Sequence, residues 1–290
     1  MKPRSIVLVL TAVCAAVVAQ VATASQLLTR NATGVRLAVN AQGQALIRYH
    51  VGGAVQQVLA SGAVNARPPS QSTPQVKFNI RYGGKTTFGA FPNACQAYDG
   101  PPLAWVVAAC KAPDGSYWAL QSWQRGLPDY GLNAKGTQGT WELHLSHWTG
   151  DLAVLDVHLG WAYQRYDELF GTYTYNGVPV HGFKSTSSGA TLDPYGRNLY
   201  LDTFNSPLGA GWKRENSFLA HNPTGTFCYG LYPHAGRSGK GTKYRLTVIG
   251  PGVTPDVMWT GNAPGPYDAT AAAAANDQLR ALNDPNCRPH

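Results

Sequence analysis

The sequence predicts a mainly β chain: an antiparallel β-sandwich or jelly-roll-like single domain with a short C-terminal α-helix. Two observations carry this. Short runs rich in β-branched and aromatic residues recur along the chain, separated by Gly, Pro, Asn and Asp clusters. Only one secure segment, near the C-terminus, has apolar residues at helical spacing. With 44% hydrophobic and 13% charged residues, the chain can fill a core and falls outside the disordered class.

Residues 1–24 read as an export leader. Lys2 and Arg4 precede an uncharged apolar run, Ile6 to Val18, which leads to the small-residue triplet Ala22-Thr23-Ala24. Cleavage after Ala24 then leaves residues 25–290 as one secreted β-rich domain, with residues 25–66 as a candidate N-terminal β-meander subdomain. Thr11, Cys14 and Gln20 interrupt the run, which falls short of the ~20 apolar residues of a spanning helix. No membrane span is expected after processing. Loss of Lys2 and Arg4 takes the formal charge from +8 to +6.

In the meander, Val35 to Val39, Gln44 to Val51 and Ala54 to Leu59 are punctuated by Asn40-Ala41-Gln42-Gly43 and Gly52-Gly53. Arg67 to Pro74 reads as a loop or linker and as the internal boundary. Further strands are expected at Val76 to Tyr82, Ala104 to Cys110, Ser116 to Gln124, Thr140 to Trp148, Ala153 to Trp161 and Glu168 to Tyr175. Val178 to Phe183, Arg197 to Phe204, Thr226 to Tyr232 and Lys243 to Ile249 complete the set. Asn176-Gly177 is the strongest hairpin signal, because both residues tolerate the positive φ of a type I′ turn. Asp268 caps a predicted helix from Ala269 to Leu282, with Pro285 just beyond it.

Four cysteines follow the leader, and an even number in an oxidising compartment predicts two disulfides, for which three pairings exist. Cys95 with Cys110 is favoured, since each lies beside a strand end and Asp99-Gly100-Pro101-Pro102 turns the chain between them. Cys228 with Cys287 follows.

The familiar catalytic motifs are absent: no His-Glu-x-x-His, no Gly-x-Ser-x-Gly and no Ser-x-x-Lys. No metal or other cofactor is expected, and no nucleic-acid module is present. Between His181 and Gly250, eight Lys or Arg stand against three acids, a bias that suits anionic envelope polymers or simply a basic solvated face. The catalytic candidates are Glu142, His144, Asp156 and His158. In a hairpin around Thr149-Gly150-Asp151, His144 faces Asp156 and Glu142 faces His158, with Cβ atoms about 5 Å apart. Such a patch can hold a divalent metal, serve as an acid and base pair, or be the wet face of a sheet.

The candidates for ligand binding are Trp212, Arg214, Glu215, His221, Tyr232 and His234, polar and aromatic side chains on expected loops that suit a sugar or peptide. Trp118 and Trp123 fall on opposite faces of one strand, so only one is expected in the core on a given face. Trp123 with Tyr117 and Gln121 makes either an exposed platform or part of the core.

Trp118-Ala119-Leu120-Gln121-Ser122-Trp123-Gln124-Arg125, Glu142-Leu143-His144-Leu145-Ser146-His147-Trp148 and Gly225-Thr226-Phe227-Cys228-Tyr229-Gly230 together resemble a family of exported bacterial proteins with no assigned activity. The resemblance spans most of the chain after the leader and implies secretion and a single domain. The expected function is a secreted, non-catalytic extracellular or cell-envelope module that binds glycan or protein. The alternative is a secreted hydrolase acting on envelope or extracellular polysaccharide through the Glu/His/Asp patch.

Overall fold

The computed structural model describes residues 25–68, 72–83, 90–124, 140–180, 197–215, 221–222, 224–232 and 240–289. The expected leader and His234 lie outside the described residues. In chain order the strands are β1 (Gln26–Arg30), β2 (Thr33–Val39), β3 (Ala45–Val51), β4 (Ala54–Gly62), β5 (Phe78–Tyr82), β6 (Gln96–Ala97), β7 (Val106–Lys111), β8 (Tyr117–Gln124) and β9 (Trp141–Trp148). There follow β10 (Val154–Ala162), β11 (Tyr166–Tyr175), β12 (Val178–Pro179), β13 (Leu199–Ser206), β14 (Gly209–Arg214), β15 (Thr226–Gly230), β16 (Lys243–Val248), β17 (Val257–Asn262) and the helix α1 (Ala269–Ala281).

The predicted class is the one that forms: antiparallel sheets in β-sandwich layers, with one short C-terminal helix among the described residues. Sheet I has the order β1-β9-β8-β7-β6 and sheet II the order β2-β3-β4-β5. Alternation on β9 and β8 sends Leu143, Leu145, Trp118 and Leu120 towards Val39, Ile47, Tyr49 and Val58 of sheet II, and this is the core of a first sandwich. Sheet III carries β10 on one side of β11, with β15 and β12 on the other, and sheet IV has the order β14-β13-β16-β17. Leu169, Tyr173 and Phe227 pack with Leu199, Leu201, Tyr244, Leu246 and Val248 between them, forming a second core.

Two sequence expectations are corrected. Arg67 to Pro74 connects β4 and β5, which pair within sheet II, so this segment is a connection inside one layer and not a boundary between cores. The passage from the first core to the second falls between β9 and β10, at the expected hairpin loop Thr149-Gly150-Asp151. The hairpin itself does not form: β9 pairs with β8 and β1, and β10 pairs with β11. As expected, Trp118 and Trp123 serve opposite faces of β8, and both are fully buried because sheet I is covered on both faces. Trp118 lies in the first core, while Trp123 meets Tyr200 and Ile249 of the second sandwich.

β11 is entered and left by tight turns of different composition. Asn176-Gly177 stands between β11 and β12 with φ of 49° and 73°, as the sequence predicts. The turn between β10 and β11 places Tyr163 and Gln164 at φ of 52° and 58°, closed by Arg165 N–H donating to Ala162 O at 3.1 Å. Both expected disulfides form, Cys95 with Cys110 and Cys228 with Cys287. The second anchors α1, whose Ala275 and Leu279 pack on Phe170 of β11. Asp268 caps the helix by accepting from Ala271 N–H at 2.8 Å.

Candidate functional site

The four catalytic candidates separate into two pairs. Glu142 and His144 are buried on β9, two residues apart on one face, with His144 Nε2 3.2 Å from Glu142 Oε2. Arg30, on the neighbouring β1, donates to the other Glu142 oxygen at 3.0 Å. Asp156 and His158 lie on β10 in sheet III, where His158 Nε2 is 3.0 Å from Asp156 Oδ2 and the ring stacks on Phe170. Alternation identifies residues that share a face, but leaves open which strand lies beside them; that is why each pair holds and the foursome does not.

Glu142 and His144 belong to a buried polar hub. Ser25 Oγ donates its single proton to the Asp256 carboxylate, at 2.9 and 3.1 Å from the two oxygens. It therefore accepts from His144 Nδ1 at 3.1 Å, which assigns the Nδ1 proton. Trp123 Nε1–H and Gly250 N–H also donate to Asp256, at 2.8 and 2.9 Å. Gln121 donates to Asp256 O and accepts from Asp256 N–H, at 2.8 and 2.9 Å. Ser25, Gln121, Trp123 and His144 come from the first sandwich, and Gly250 and Asp256 from the second, so the hub is the seam between them.

The ligand-binding candidates also divide. Trp212 and Arg214 lie on strand β14 and not on a loop. Arg214 donates through Nε and a terminal nitrogen to the two oxygens of Asp202, at 2.6 and 3.2 Å. Asp202 also accepts from Arg245, whose guanidinium sits 4.4 Å from the ring centres of both Trp105 and Trp212. The indole faces turned to Arg245 are therefore covered by the guanidinium. Glu215 is buried and accepts from Thr203 Oγ at 2.9 Å; burial pushes its carboxyl up to about 7. His221 is buried against Asn198, with Nδ1 2.7 Å from the Asn198 amide oxygen.

Tyr232 stands elsewhere, in a tyrosine cluster beside the tight turn of β10 and β11. Its ring centre is 4.8 Å from that of Tyr166 and 6.4 Å from that of Tyr163. Tyr163, at the turn, is 61% exposed. The Arg165 guanidinium lies 5.3 Å from the Tyr166 ring centre. Glu168, one step into the sheet, is directly opposite Gly160 on β10 and Gly230 on β15. The Tyr232 ring covers Gly230 so closely that an added Cβ there would come within 2.4 Å of it. Burial pushes the Glu168 carboxyl up to about 7.

Sequence reasoning found Tyr232 and missed Tyr163, Tyr166 and Glu168 as its partners. The signal was local: Tyr163-Gln164 sits between two alternating runs where Asn or Gly is the ordinary choice. Among the described residues no three His, Cys, Asp or Glu side chains are grouped as metal ligands, and no helix is long and apolar enough to cross a membrane. No family model matches the chain, and neither does any curated protein or solved structure.

Proposed function

We propose that this is an exported, non-catalytic envelope or extracellular module that binds a glycan at the tyrosine cluster of Tyr163, Tyr166 and Tyr232. The leader pattern, the two disulfides and the resemblance to exported bacterial proteins support export. One observation carries the choice of site. Tyr163 and Gln164 both hold left-handed backbone, which L residues with a Cβ resist by about 1 kcal/mol or more each, whereas the other end of β11 uses Asn-Gly for the same geometry. The first turn thus keeps an unfavourable residue whose ring is exposed. Tyrosine faces stack on the C–H faces of a sugar ring, while Arg165 and the phenol hydroxyls exchange hydrogen bonds with its hydroxyls and, in an anionic polymer, with its charges.

The test is retention on envelope polysaccharide in affinity electrophoresis. Tyr163→Ala is expected to weaken retention at least tenfold. The double variant Tyr163→Asn with Gln164→Gly is expected to raise stability by about 1–2 kcal/mol in urea unfolding while losing retention equally. Unchanged retention in both variants overturns the assignment.

A hydrolase acting on the same polymer is the second reading, favoured by the Glu168 carboxyl, which burial keeps half-protonated near neutral pH beside the tyrosines. Its signature is turnover of the polymer that Glu168→Gln abolishes with retention intact; retention without turnover in the wild type rejects it.

A further inference from the structure

We propose that the buried hub around Asp256 receives the α-ammonium group of Ser25, created when the leader is removed after Ala24, so that processing locks the two sandwiches together. The inference rests on the export reading above, and it concerns a site separate from the tyrosine cluster.

Ser25 is fully buried at the head of β1. Its nitrogen donates to Gly252 O at 2.6 Å, and its hydroxyl bridges His144 and Asp256. Asp256 is buried too, 1% exposed, and its carboxylate accepts from Ser25 Oγ, Trp123 Nε1–H and Gly250 N–H, three neutral donors. A carboxylate taken out of water is stabilised far more by a cation than by neutral dipoles alone. The nearby Arg30 is engaged by Glu142, which also contacts His144. The Ser25 nitrogen is within one short side chain of Asp256, since its own Oγ touches both carboxylate oxygens.

Hydrolysis of the Ala24–Ser25 bond by a leader-removing peptidase consumes one water. Ala24 leaves as a carboxylate, and the Ser25 nitrogen becomes an ammonium with three N–H donors. One of these continues to serve Gly252 O, and the others turn to groups at the hub. Gly250, Gly252 and Asp256 belong to the second sandwich and Ser25, Trp123 and His144 to the first, so the new charge pair spans the seam. An unprocessed chain carries a neutral amide at this position and lacks the pair.

The experiment compares the chain beginning at Ser25, its start verified by mass, with the same chain preceded by Thr23-Ala24. The free form is expected to melt higher, by roughly 5 °C. In Asp256→Asn the two forms are expected to melt together. Equal melting in the wild type, or a gap that persists in Asp256→Asn, overturns the proposal. Should Asp256→Asn fail to fold, the Ser25 chain is compared with its α-N-acetylated form, and equal melting again overturns it. A chain secreted by its own leader that starts at another residue removes the cut point and the proposal with it. A chain that is not exported fails the export reading, and the melting comparison still decides the Ser25–Asp256 coupling on its own.

Discussion

Burial sets the ionisation of two glutamates and one histidine, with opposite consequences for stability. Glu215 is held against Thr203 Oγ with Asp202 nearby, and its carboxyl is raised from 4.5 to about 7, chiefly by burial. The native state therefore binds a proton that the unfolded chain releases between these values, so this group's contribution falls as pH rises from about 4.5 to 7 and is flat above. Glu168 acts in the same direction. His147 acts in the other: burial lowers its pKa from 6.5 while it bonds Gly62 O and Ser116 Oγ, so stability declines as pH drops below 6.5. Glu215→Gln keeps the hydrogen bond from Thr203 and removes the titration. The variant is expected to be more stable than wild type by an amount on the order of 1–3 kcal/mol at pH 8, and about equal at pH 4.5. Urea titrations at the two pH values check this, and an equal gap at both counts against burial as the cause.

At the scale of elements, α1 is a short cap whose apolar side chains are alanines and Leu279, buried through Ala272, Ala275 and Leu279. An isolated helix of this length is marginal in water, so its place depends on Phe170 and on the Cys228–Cys287 bridge. Gly160 allows the approach, because a Cβ there would stand 3.1 Å from that of Ala275. The bridge closes a separation of 59 residues, for which chain entropy gives a stabilisation of about 4 kcal/mol. Replacing Cys228 and Cys287 together by Ser is expected to cost up to that amount and to speed amide exchange in α1 while sheet I stays protected. Hydrogen exchange reads both, and unchanged protection of α1 would mean that its apolar contacts suffice.

Across the whole molecule, the polar seam makes two sandwiches into one unit. Gln121 is its neutral member: it donates to Ala104 O and Asp256 O and accepts from Asp256 N–H. Gln121→Ala leaves those buried groups without their partner, at about 1–3 kcal/mol for each one left unsatisfied. The variant is expected to unfold at lower urea and in two steps, with amide exchange in sheets I and II separating from that in sheets III and IV. A single transition with unchanged midpoint would show that Trp123, Tyr200 and Ile249 hold the seam unaided.

Alternation and turn chemistry, both local, determined by themselves the β class, most strands, the Asn176-Gly177 turn and the cap at Asp268; they favoured one of three cysteine pairings, which the tertiary structure decided. The same local rule correctly put Glu142 with His144 and Asp156 with His158. Partner choice is not local: β9 has an apolar face that satisfies any neighbour of the right alternation, so only the tertiary structure assigned it to β8 and β1. β1, β6, β14 and β17 escaped notice because their short or Gly-interrupted runs carry weak alternation. Ser25 and Asp256 are 231 positions apart, and no periodicity reports such a contact. Their meeting, like the grouping of Tyr163 and Tyr166 with Tyr232, was decided by how the sheets stack, since burial of apolar faces fixes which polar groups are left facing one another.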